Sequence, residues 1–159
     1  MFDIIRRVEA SQLGECLEVI RRSFAPVAGQ FHLTELNCPT YTAFITLERL
    51  IFESQNGVDM FGCYEDGALI GFIGLDKREN EVQIKHLCVL PEKQNMSYGT
   101  RLMTFAAEEA VKMGYRRICA GIIDANERLK DFYKKLGYTE IDKRSFPHLP
   151  FTVCYLVKE

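Results

Sequence analysis

Apolar residues at the start of the chain recur first as in a strand and then as in a helix. Residues 2–8 have the composition of a short strand. Over residues 9–24 the apolar side chains recur three or four positions apart, as on one face of a helix. The pattern therefore predicts a strand followed by an amphipathic helix.

The helical period stops at Pro26 and Gly29, two residue types that interrupt regular structure. Residues 26–39 show no period and are predicted to be an irregular segment that forms part of a substrate mouth. A second helix is predicted over residues 39–55, with Thr40 as its N-cap. Its apolar side chains lie on one side of the helix.

Three strands follow, joined by tight turns. Residues 58–64 and 68–77 are strand patterns separated by Glu-Asp-Gly. Asp-Gly between apolar runs is a strong hairpin signal, because glycine supplies the positive φ that a tight turn requires. Another turn at residues 78–80 leads into a strand over residues 81–90, which ends at Pro91. The sequence thus predicts an antiparallel meander.

Helices and strands alternate in the second half of the chain. A helix with one apolar face begins after Gln94 and ends at Gly114. A compact apolar strand follows over residues 116–123. Because a helix separates this strand from residues 82–90, the two strands are predicted to run parallel. The remaining predicted elements are a helix over residues 127–136 and strands over residues 138–146 and 151–157.

Composition is that of an ordinary globular protein. The 159 residues suffice for one domain, predicted to span residues 1–159, with 47% hydrophobic residues, 26% charged residues and a net charge of −2. The chain lacks the excess of basic residues that would indicate binding to nucleic acid. No apolar run approaches the roughly 20 residues of a membrane span, and the N-terminus lacks the apolar run of a signal peptide. We therefore expect a cytoplasmic protein that binds neither nucleic acid nor membrane.

Six cysteines are spread along the chain without a Cys-x-x-Cys pair, and five of them lie inside apolar patterns. They are interpreted as buried, reduced thiols. The three histidines, His32, His86 and His148, are too scattered along the sequence to suggest a metal site. No metal is expected.

The junction between the strand that ends at Pro91 and the next helix has the layout of an anion site. The string Gln94-x-x-Ser97-x-Gly99 places small residues at a helix start, where unpaired backbone N–H groups and the helix dipole favour phosphate oxygens. Alone, such a string often serves only to cap a helix. The predicted parallel strand pair, however, forms a cleft at strand carboxyl ends, where ligands bind in α/β units. The junction is therefore a candidate pyrophosphate site.

A second motif lies in the predicted helix over residues 127–136. Asn126 stands at the helix entrance, Tyr133 follows Phe132, and Gly137 suits the C-terminal cap. Packing of an amphipathic helix explains the apolar positions. It does not explain Asn126 or Tyr133, which should lie near the end of a strand that flanks the first motif.

Together these motifs resemble the GNAT superfamily of acyl-CoA-dependent N-acetyltransferases. The matching strings, over about residues 82–138, are Leu87-x-Val89-x-Pro91, Gln94-x-x-Ser97-x-Gly99 in place of [Gln/Arg]-x-x-Gly-x-[Gly/Ala], and Asn126 with Phe132-Tyr133-x-x-x-Gly137-Tyr138. The resemblance implies an α+β, three-layer α-β-α fold. Its sheet would be mixed, mainly antiparallel and twisted, with about seven strands, helices on both faces and a splayed central parallel strand pair.

The resemblance also implies acetyl-CoA as co-substrate, without a metal. Asn126 would contact pantetheine, Phe132 would lie beside the cofactor, and Tyr133 would lie near the thioester sulfur. Backbone groups that would pair with pantetheine, as if it were an added strand, belong to Leu87, Cys88 and Val89. The pyrophosphate would be wrapped by the backbone of Gln94, Asn95, Met96, Ser97, Tyr98, Gly99 and Thr100.

The chemistry requires no enzyme nucleophile, because a free amine can attack a thioester directly. Tyr133 is the predicted general acid, since a phenol with an ordinary pKa near 10 can protonate the departing thiolate. An acyl intermediate on Cys88 is disfavoured, because its sequence neighbours are apolar and nothing beside it would lower the pKa of the thiol.

The position of the general base is the weak point. Many family members carry a glutamate on the fourth strand, where this chain has Gln83, and an amide cannot usefully accept a proton at neutral pH. Glu81 lies on the same strand face and is the candidate base, acting through a water chain. His86 and His148 remain alternatives, although a lone histidine in a strand is more often structural.

Ser97 replaces a glycine of the family pattern, which leaves the affinity for the cofactor open. If the backbone there has positive φ, serine is strained. If the backbone is helical, the hydroxyl instead caps the helix or donates to phosphate.

The expected function is acetyl transfer from acetyl-CoA to a primary amine in a ternary complex. A small amine metabolite is the favoured acceptor over a protein, and residues 24–60 and 145–151 should shape its pocket. The alternative is a non-catalytic acyl-CoA-binding sensor or assembly module, supported by Gln83 and Ser97 and opposed by Tyr133. The sequence leaves open the identity of the acceptor and the choice between monomer and homodimer.

Overall fold

Seven strands form one mixed sheet through the middle of the molecule. The structure, a computed structural model, describes residues 4–159. The strands are β1 (Ile4–Arg7), β2 (Val58–Glu65), β3 (Ala68–Lys77), β4 (Val82–Val89), β5 (Ile118–Ile123), β6 (Thr139–Ser145) and β7 (Thr152–Lys158). They lie in the order β1-β2-β3-β4-β5-β7-β6. Neighbouring strands are antiparallel except β4 and β5, which run parallel.

Helices cover both faces of this sheet. The α-helices are α1 (Leu13–Gln30), α2 (Leu47–Gln55), α3 (Tyr98–Lys112) and α4 (Glu127–Lys135), and short 3-10 helices form at Ala10–Gln12, Thr42–Phe44 and Pro91–Lys93. α1 and α3 both pack against β3 and β4. Ser23 of α1 lies beside Cys88, which pairs with Phe72, whereas Leu102 of α3 lies against Gly71, the preceding residue of β3. Because successive residues of a strand face opposite sides, the two helices lie on opposite sides of the sheet. The arrangement confirms the predicted three-layer α+β fold.

The predicted hairpin and parallel strand pair are both present. β3 has the predicted bounds, and the turn residues Asp66 and Gly67 have φ of 50° and 84°, in the left-handed region that such turns require. The parallel pairing of β4 with β5 confirms the crossover through α3. β1 begins at Ile4, and residues 2–3 of the predicted strand lie outside the described residues.

The first helix is longer than predicted because it continues through Pro26. α1 ends at Gln30, so the prediction of an irregular segment is wrong for residues 26–30. A proline fixes φ near the helical value and removes one backbone hydrogen bond. The last turn is nevertheless retained, because Ala28 is buried there in an apolar cluster that also contains Cys38.

The predicted second helix is interrupted near its middle. A short 3-10 helix at Thr42–Phe44 is followed by extended backbone at Ile45, whose side chain is buried. Thr46 then caps α2 by accepting the backbone N–H of Arg49 at 3.2 Å. The prediction of one helix with Thr40 as its cap is therefore wrong, because burial of Ile45 breaks the helical run.

β4 pairs with β5 only at their beginning. The register contains two pairs, Val82 with Ile118 and Gln83 with Cys119. Beyond these pairs the two strands diverge, although both continue for several residues. The central parallel pair is therefore splayed, as the family resemblance implied.

A bulge in β4 explains the divergence. Phe72 of β3 pairs with Cys88, whereas Gly74, two residues later, pairs with Lys85, three residues earlier. β4 thus carries one extra residue, and His86 within it has a φ of 55°. A bulge of this kind bends its strand and increases the local twist, which carries β4 away from β5.

The apolar core centres on β3, where Phe72, Ile73 and Leu75 are fully buried. All six cysteines are buried and free, which confirms the interpretation as reduced thiols. Within residues 4–159, no helix is both long and apolar enough to cross a membrane.

The cap of α2 provides a test of the fold. Thr46→Ala removes the hydroxyl that accepts the Arg49 N–H, and we expect it to lower the free energy of unfolding by about 1 kcal/mol in urea denaturation. Thr46→Ser retains the hydroxyl and should stay within a few tenths of a kcal/mol of the wild type. Equal stability of both variants would contradict the capping role.

Candidate active site

The divergence of β4 and β5 leaves a cleft of about 360 Å³. Residues 84–87 of β4 and 120–123 of β5 line its walls, and α4 contributes Asn126, Leu129 and Tyr133. The rest of the lining comes from α1, α2, the segment before α2, β7 and the connection between β6 and β7. The structure therefore brings parts of both sequence motifs to one cleft.

The edge of β4 beyond the bulge faces the cleft with free backbone groups. The N–H of Leu90 donates to the carbonyl of Ile70 in β3 at 2.8 Å. Because N–H groups alternate in direction along a strand, those of Val89 and Leu87 point the other way, where the pairing with β5 has already ended. An extended ligand can pair with this edge as an added strand does.

The loop between β4 and α3 ends at an open helix terminus. Asn95 and Ser97 both have left-handed backbone, with φ of 64° and 70°. The first backbone bond of α3 joins the N–H of Arg101 to the carbonyl of Ser97 at 3.0 Å. The N–H groups of Gly99 and Thr100 therefore have no carbonyl one turn earlier and lie at the positive end of the helix dipole.

The left-handed backbone decides between the two interpretations of Ser97. Ser97 is the N-cap residue of α3, but its hydroxyl accepts no capping hydrogen bond. A side chain in this region costs roughly 1–2 kcal/mol relative to glycine. Serine is therefore a strained replacement for the glycine of the family pattern.

Contacts from β4 and α4 hold the loop in this conformation. Gln94 donates its side-chain amide to the carbonyl of Val89 at 3.1 Å, and Arg128 of α4 donates to the Asn95 side chain at 3.2 Å. Met96, the next residue, is 54% exposed. The first half of the loop is thus held by side-chain hydrogen bonds, and the side chain that follows is open to solvent.

Two further contacts join the start of α3, and the short helix before it, to the β2–β3 turn. The buried Tyr98 donates its hydroxyl to Glu65 at the β2–β3 turn, and Lys93 pairs with the same carboxylate. Hydrogen bonds from Lys93 and Tyr98 hold the pKa of Glu65 below its usual value. The ring of Phe132 in α4 lies against Gly99, where an added Cβ would stand 3.4 Å from it, in ordinary van der Waals contact.

α4 presents Asn126 and Tyr133 to the cleft. Asn126 caps the helix by accepting the N–H of Leu129 at 3.2 Å, which leaves its amide NH₂ for a ligand. Tyr133 is 3% exposed, and its ring packs edge-on against Phe132 and Tyr138. Burial raises the pKa of Tyr133, so the phenol keeps its proton at neutral pH.

The structure does not bring Glu81 or Gln83 to the cleft lining. Glu81 accepts hydrogen bonds from Arg117 at 3.0 Å and from the thiol of Cys119 at 3.1 Å. The side-chain oxygen of Gln83 accepts from Arg78 at 2.9 Å. Both side chains are engaged beside the closed end of the strand pair, where β4 and β5 still share a register.

Cys88 does not line the cleft either, and its backbone pairs with Phe72 of β3. Its side chain is buried beside Ser23 of α1. Burial raises the pKa of the Cys88 thiol to about 12. A neutral thiol is a poor nucleophile, which disfavours an acyl-cysteine intermediate.

Sequence reasoning left His86 as one alternative and missed its partners. Its Nε2 lies 2.7 Å from a carboxylate oxygen of Glu53 in α2, and its Nδ1 lies 3.3 Å from the hydroxyl of Thr42. No periodic pattern pairs residues so far apart in sequence. His148, the other histidine considered, is exposed and does not line the cleft.

A charged cluster beside the cleft was also missed. Asp124, Glu140 and Cys154 place three possible ligand atoms within 4.8 Å of one another. The ammonium of Lys130 lies 2.7 Å from Asp124 and 4.0 Å from Glu140, and that of Lys143 lies 3.3 Å and 3.4 Å from the same carboxylates. These lysines neutralise the two acids, so the cluster is an ion-pair network as it stands.

The cleft, the free strand edge and the open helix terminus are features that can accommodate an extended, phosphate-bearing ligand. A family model described as acetyltransferase (GNAT) family matches residues 30–138. The chain belongs to the GNAT family of acetyltransferases, which confirms the resemblance found in the sequence.

Solved structures share this fold over nearly the whole chain. The PaiA N-acetyltransferase from Thermoplasma acidophilum, in complex with coenzyme A, has 22% identity and a TM-score of 0.84, with 100% of this chain and 99% of that chain covered. The ribosomal-protein-S18-alanine N-acetyltransferase from Escherichia coli has 14% identity and a TM-score of 0.79, with 98% and 92% covered. A GNAT family acetyltransferase from Elizabethkingia anophelis, with acetyl-CoA bound, has 16% identity and a TM-score of 0.68, with 99% and 97% covered.

Strain at Ser97 generates a prediction. Ser97→Gly should raise the free energy of unfolding by a few tenths to about 1 kcal/mol, because relief of the left-handed strain exceeds the added freedom of the unfolded chain. Ser97→Ala retains the Cβ and should bring no such gain. Chemical denaturation of the three proteins checks this, and a gain with alanine equal to that with glycine would assign the effect to the hydroxyl instead.

Proposed function

We propose that this chain is an N-acetyltransferase that binds acetyl-CoA in the β4–β5 cleft and transfers the acetyl group to a primary amine by direct attack. The observation that carries the proposal is the juxtaposition of the free β4 edge and the buried phenol of Tyr133 at one cleft, with the open terminus of α3 one short loop beyond the end of β4. Family membership and the coenzyme-bound structures with the same fold support it.

The cofactor would lie along the free edge of β4 with its phosphates at the start of α3. Pantetheine amides would pair with the backbone of Leu87 and Val89, whose N–H groups point away from β3 and are not paired with β5. Asn126 would donate its amide NH₂ to a pantetheine carbonyl. The pyrophosphate would bind the backbone N–H groups of residues 94–100, with Phe132 packed beneath Gly99.

Tyr133 would protonate the sulfur that leaves the acetyl group. Burial raises the pKa of this phenol, and burial would likewise raise the pKa of a thiol held beside it, as burial elsewhere in the core does for Cys88. Because burial raises the pKa of both the donor phenol and the acceptor thiol, burial does not by itself disfavour transfer of the proton from Tyr133 to the sulfur. The N–H of Val89, on the free edge of β4, is the candidate donor to the thioester oxygen.

The acceptor would enter from the side of the cleft lined by aromatic rings. Phe24, Tyr41 and Phe151 line the cleft there, and Tyr41 packs edge-on against both phenylalanines at centroid distances of 6.1 and 6.4 Å. A narrow cleft with such walls favours a small amine with an apolar body over a protein chain. Glu81 as base stays a prediction that this geometry does not favour, because Arg117 holds its carboxylate outside the cleft.

Two measurements test the function itself. Calorimetry should detect acetyl-CoA binding, and a thiol-release assay across a panel of small primary amines should detect free CoA together with the acetylated amine. Binding of acetyl-CoA without transfer to any amine would replace this proposal with the acyl-CoA-binding module.

The role of Tyr133 predicts a specific kinetic defect. Tyr133→Phe removes the proton donor and keeps the ring packing, so kcat should fall by about 10²- to 10⁴-fold with little change in KM for acetyl-CoA. Tyr138→Phe is the matched control, because this buried ring packs 5.2 Å from Tyr133 but does not line the cleft. Equal losses in the two variants would point to packing rather than proton transfer.

The two tasks of Asn126 can be separated by substitution. Asn126→Ser retains an N-cap oxygen and loses the amide donor, so the Kd for acetyl-CoA should rise about 3- to 10-fold while the unfolding free energy changes by less than about 0.5 kcal/mol. Asn126→Ala should lose both affinity and stability. Unchanged affinity in the serine variant, measured by calorimetry, would remove Asn126 from the binding site.

A further inference from the structure

His86 is a buried imidazole held between two other elements at the wall of the cleft. Its side chain is 3% exposed. Nε2 lies 2.7 Å from Oε1 of Glu53 in α2, and Nδ1 lies 3.3 Å from Oγ1 of Thr42 in the preceding 3-10 helix. The bulge of β4 aims the ring this way, at the expense of a left-handed backbone.

The charged groups around this imidazole favour an ionised Glu53. Nε of Arg49 lies 3.4 Å from the second carboxylate oxygen, and Nζ of Lys85 lies 4.0 Å from it. Burial alone would raise the pKa of Glu53, but the hydrogen bond with His86 and the charges of Lys85 and Arg49 bring it below its usual value. Asp76 of β3 is the other carboxylate nearby, and Arg78 pairs with it at 2.8 Å.

The hydrogen-bond partners fix which nitrogen of His86 carries the proton. An ionised carboxylate can only accept, so Nε2 of the neutral imidazole must donate to Glu53. Nδ1 then carries the lone pair, and the hydroxyl of Thr42 donates to it. This is the tautomer in which an imidazole can take up a proton from the side of the cleft.

The three side chains connect the cleft with a second cavity. Thr42 and His86 line the cleft, whereas Glu53 lines a separate cavity of about 350 Å³. Arg49 and Lys85 line both cavities. A proton taken up from the cleft can therefore leave on the other side of His86 without passing the cofactor.

We propose that Thr42, His86 and Glu53 form the relay that takes the proton from the acceptor amine. The proposal rests on the proposed acetyl transfer and adds the group that accepts the proton. Thr42 gives its hydroxyl proton to Nδ1 of His86 and receives one from the substrate nitrogen. Glu53 is a positioning residue, which fixes the tautomer and stabilises the imidazolium.

The steps balance for an amine that arrives as an ammonium ion. The relay removes one proton, and the freed nitrogen lone pair attacks the thioester carbon. As the carbon–nitrogen bond forms, the carbon–sulfur bond breaks and Tyr133 gives its proton to the thiolate. The amide nitrogen then loses a second proton, which returns Tyr133 to its neutral form. His86 releases the proton that the relay took first to solvent, through the cavity beside Glu53. The products are the amide, free CoA and one proton.

The test compares two amines of similar size and different basicity. Benzylamine is protonated at neutral pH and needs a base, whereas O-benzylhydroxylamine is not protonated and needs none before it attacks. The variants are His86→Asn, Glu53→Gln and Thr42→Val, since asparagine tolerates left-handed backbone. The control is His32→Asn, which alters an exposed histidine that also has positive φ.

We expect His86→Asn to lower kcat/KM for benzylamine by about 10²- to 10⁴-fold at pH 7 and to change the value for O-benzylhydroxylamine only a few-fold. The defect should shrink as the pH rises towards the pKa of benzylamine, because the free amine then needs no base. Glu53→Gln and Thr42→Val should show the same dependence on the amine with smaller losses. His32→Asn should match the wild type with both amines.

Equal losses with both amines at every pH, or no loss at all, would overturn the relay while leaving acetyl transfer intact. Absence of transfer by the wild-type protein to either amine, despite acetyl-CoA binding, would instead count against the proposed function and the relay together.

A readout independent of activity is nitrogen NMR of the imidazole in the wild-type protein, which should show the proton on Nε2. A proton on Nδ1 would exclude the relay even if every variant failed to fold.

Discussion

One extra residue in β4 is the constraint on which the rest of the site depends. Opposite Ile73 of β3, β4 has two residues, His86 and Leu87; β4 pairs with β5 only as far as Gln83, and its far edge is open to a ligand. The bulge also sets His86 in left-handed backbone, at a cost of roughly 1–2 kcal/mol. Hydrogen bonds of the ring with Glu53 and Thr42 offset this cost. The cleft and its buried imidazole thus have a single origin.

Strained backbone is concentrated in the segment that would hold the cofactor. Of the five non-glycine residues with positive φ among residues 4–159, three lie between the bulge and the start of α3, namely His86, Asn95 and Ser97. Strained residues persist where their surroundings hold them. Here Arg128 holds Asn95, and Gln94 ties the loop to β4. A loop held in place before binding loses less freedom when phosphate arrives.

Local patterns predicted the elements, and tertiary contacts decided the exceptions. The β2–β3 hairpin and the cap at Asn126 depend on neighbouring residues, so the sequence alone reveals them. α1 passes Pro26 and the chain breaks at Ile45 because distant packing outweighs local preference. At the site, the motifs include residues that line the cleft, namely Leu87, Asn126 and Tyr133. The pairing of His86 with Glu53, by contrast, joins residues 33 positions apart through a bulge that no periodicity reveals.

The charges along the cleft affect both the pKa of a bound acceptor amine and the ionisation of Glu53, which supports the proposed base. Arg49 and Lys85 line the cleft, and no carboxylate is among its described lining residues. A bound ammonium would lie near two cations, and neighbouring like charge lowers the pKa of an amine. The same two cations keep Glu53 ionised, so that it can stabilise the imidazolium. Tyr133 comes from α4, away from these charges, so nitrogen loses its proton to one group while sulfur gains a proton from another.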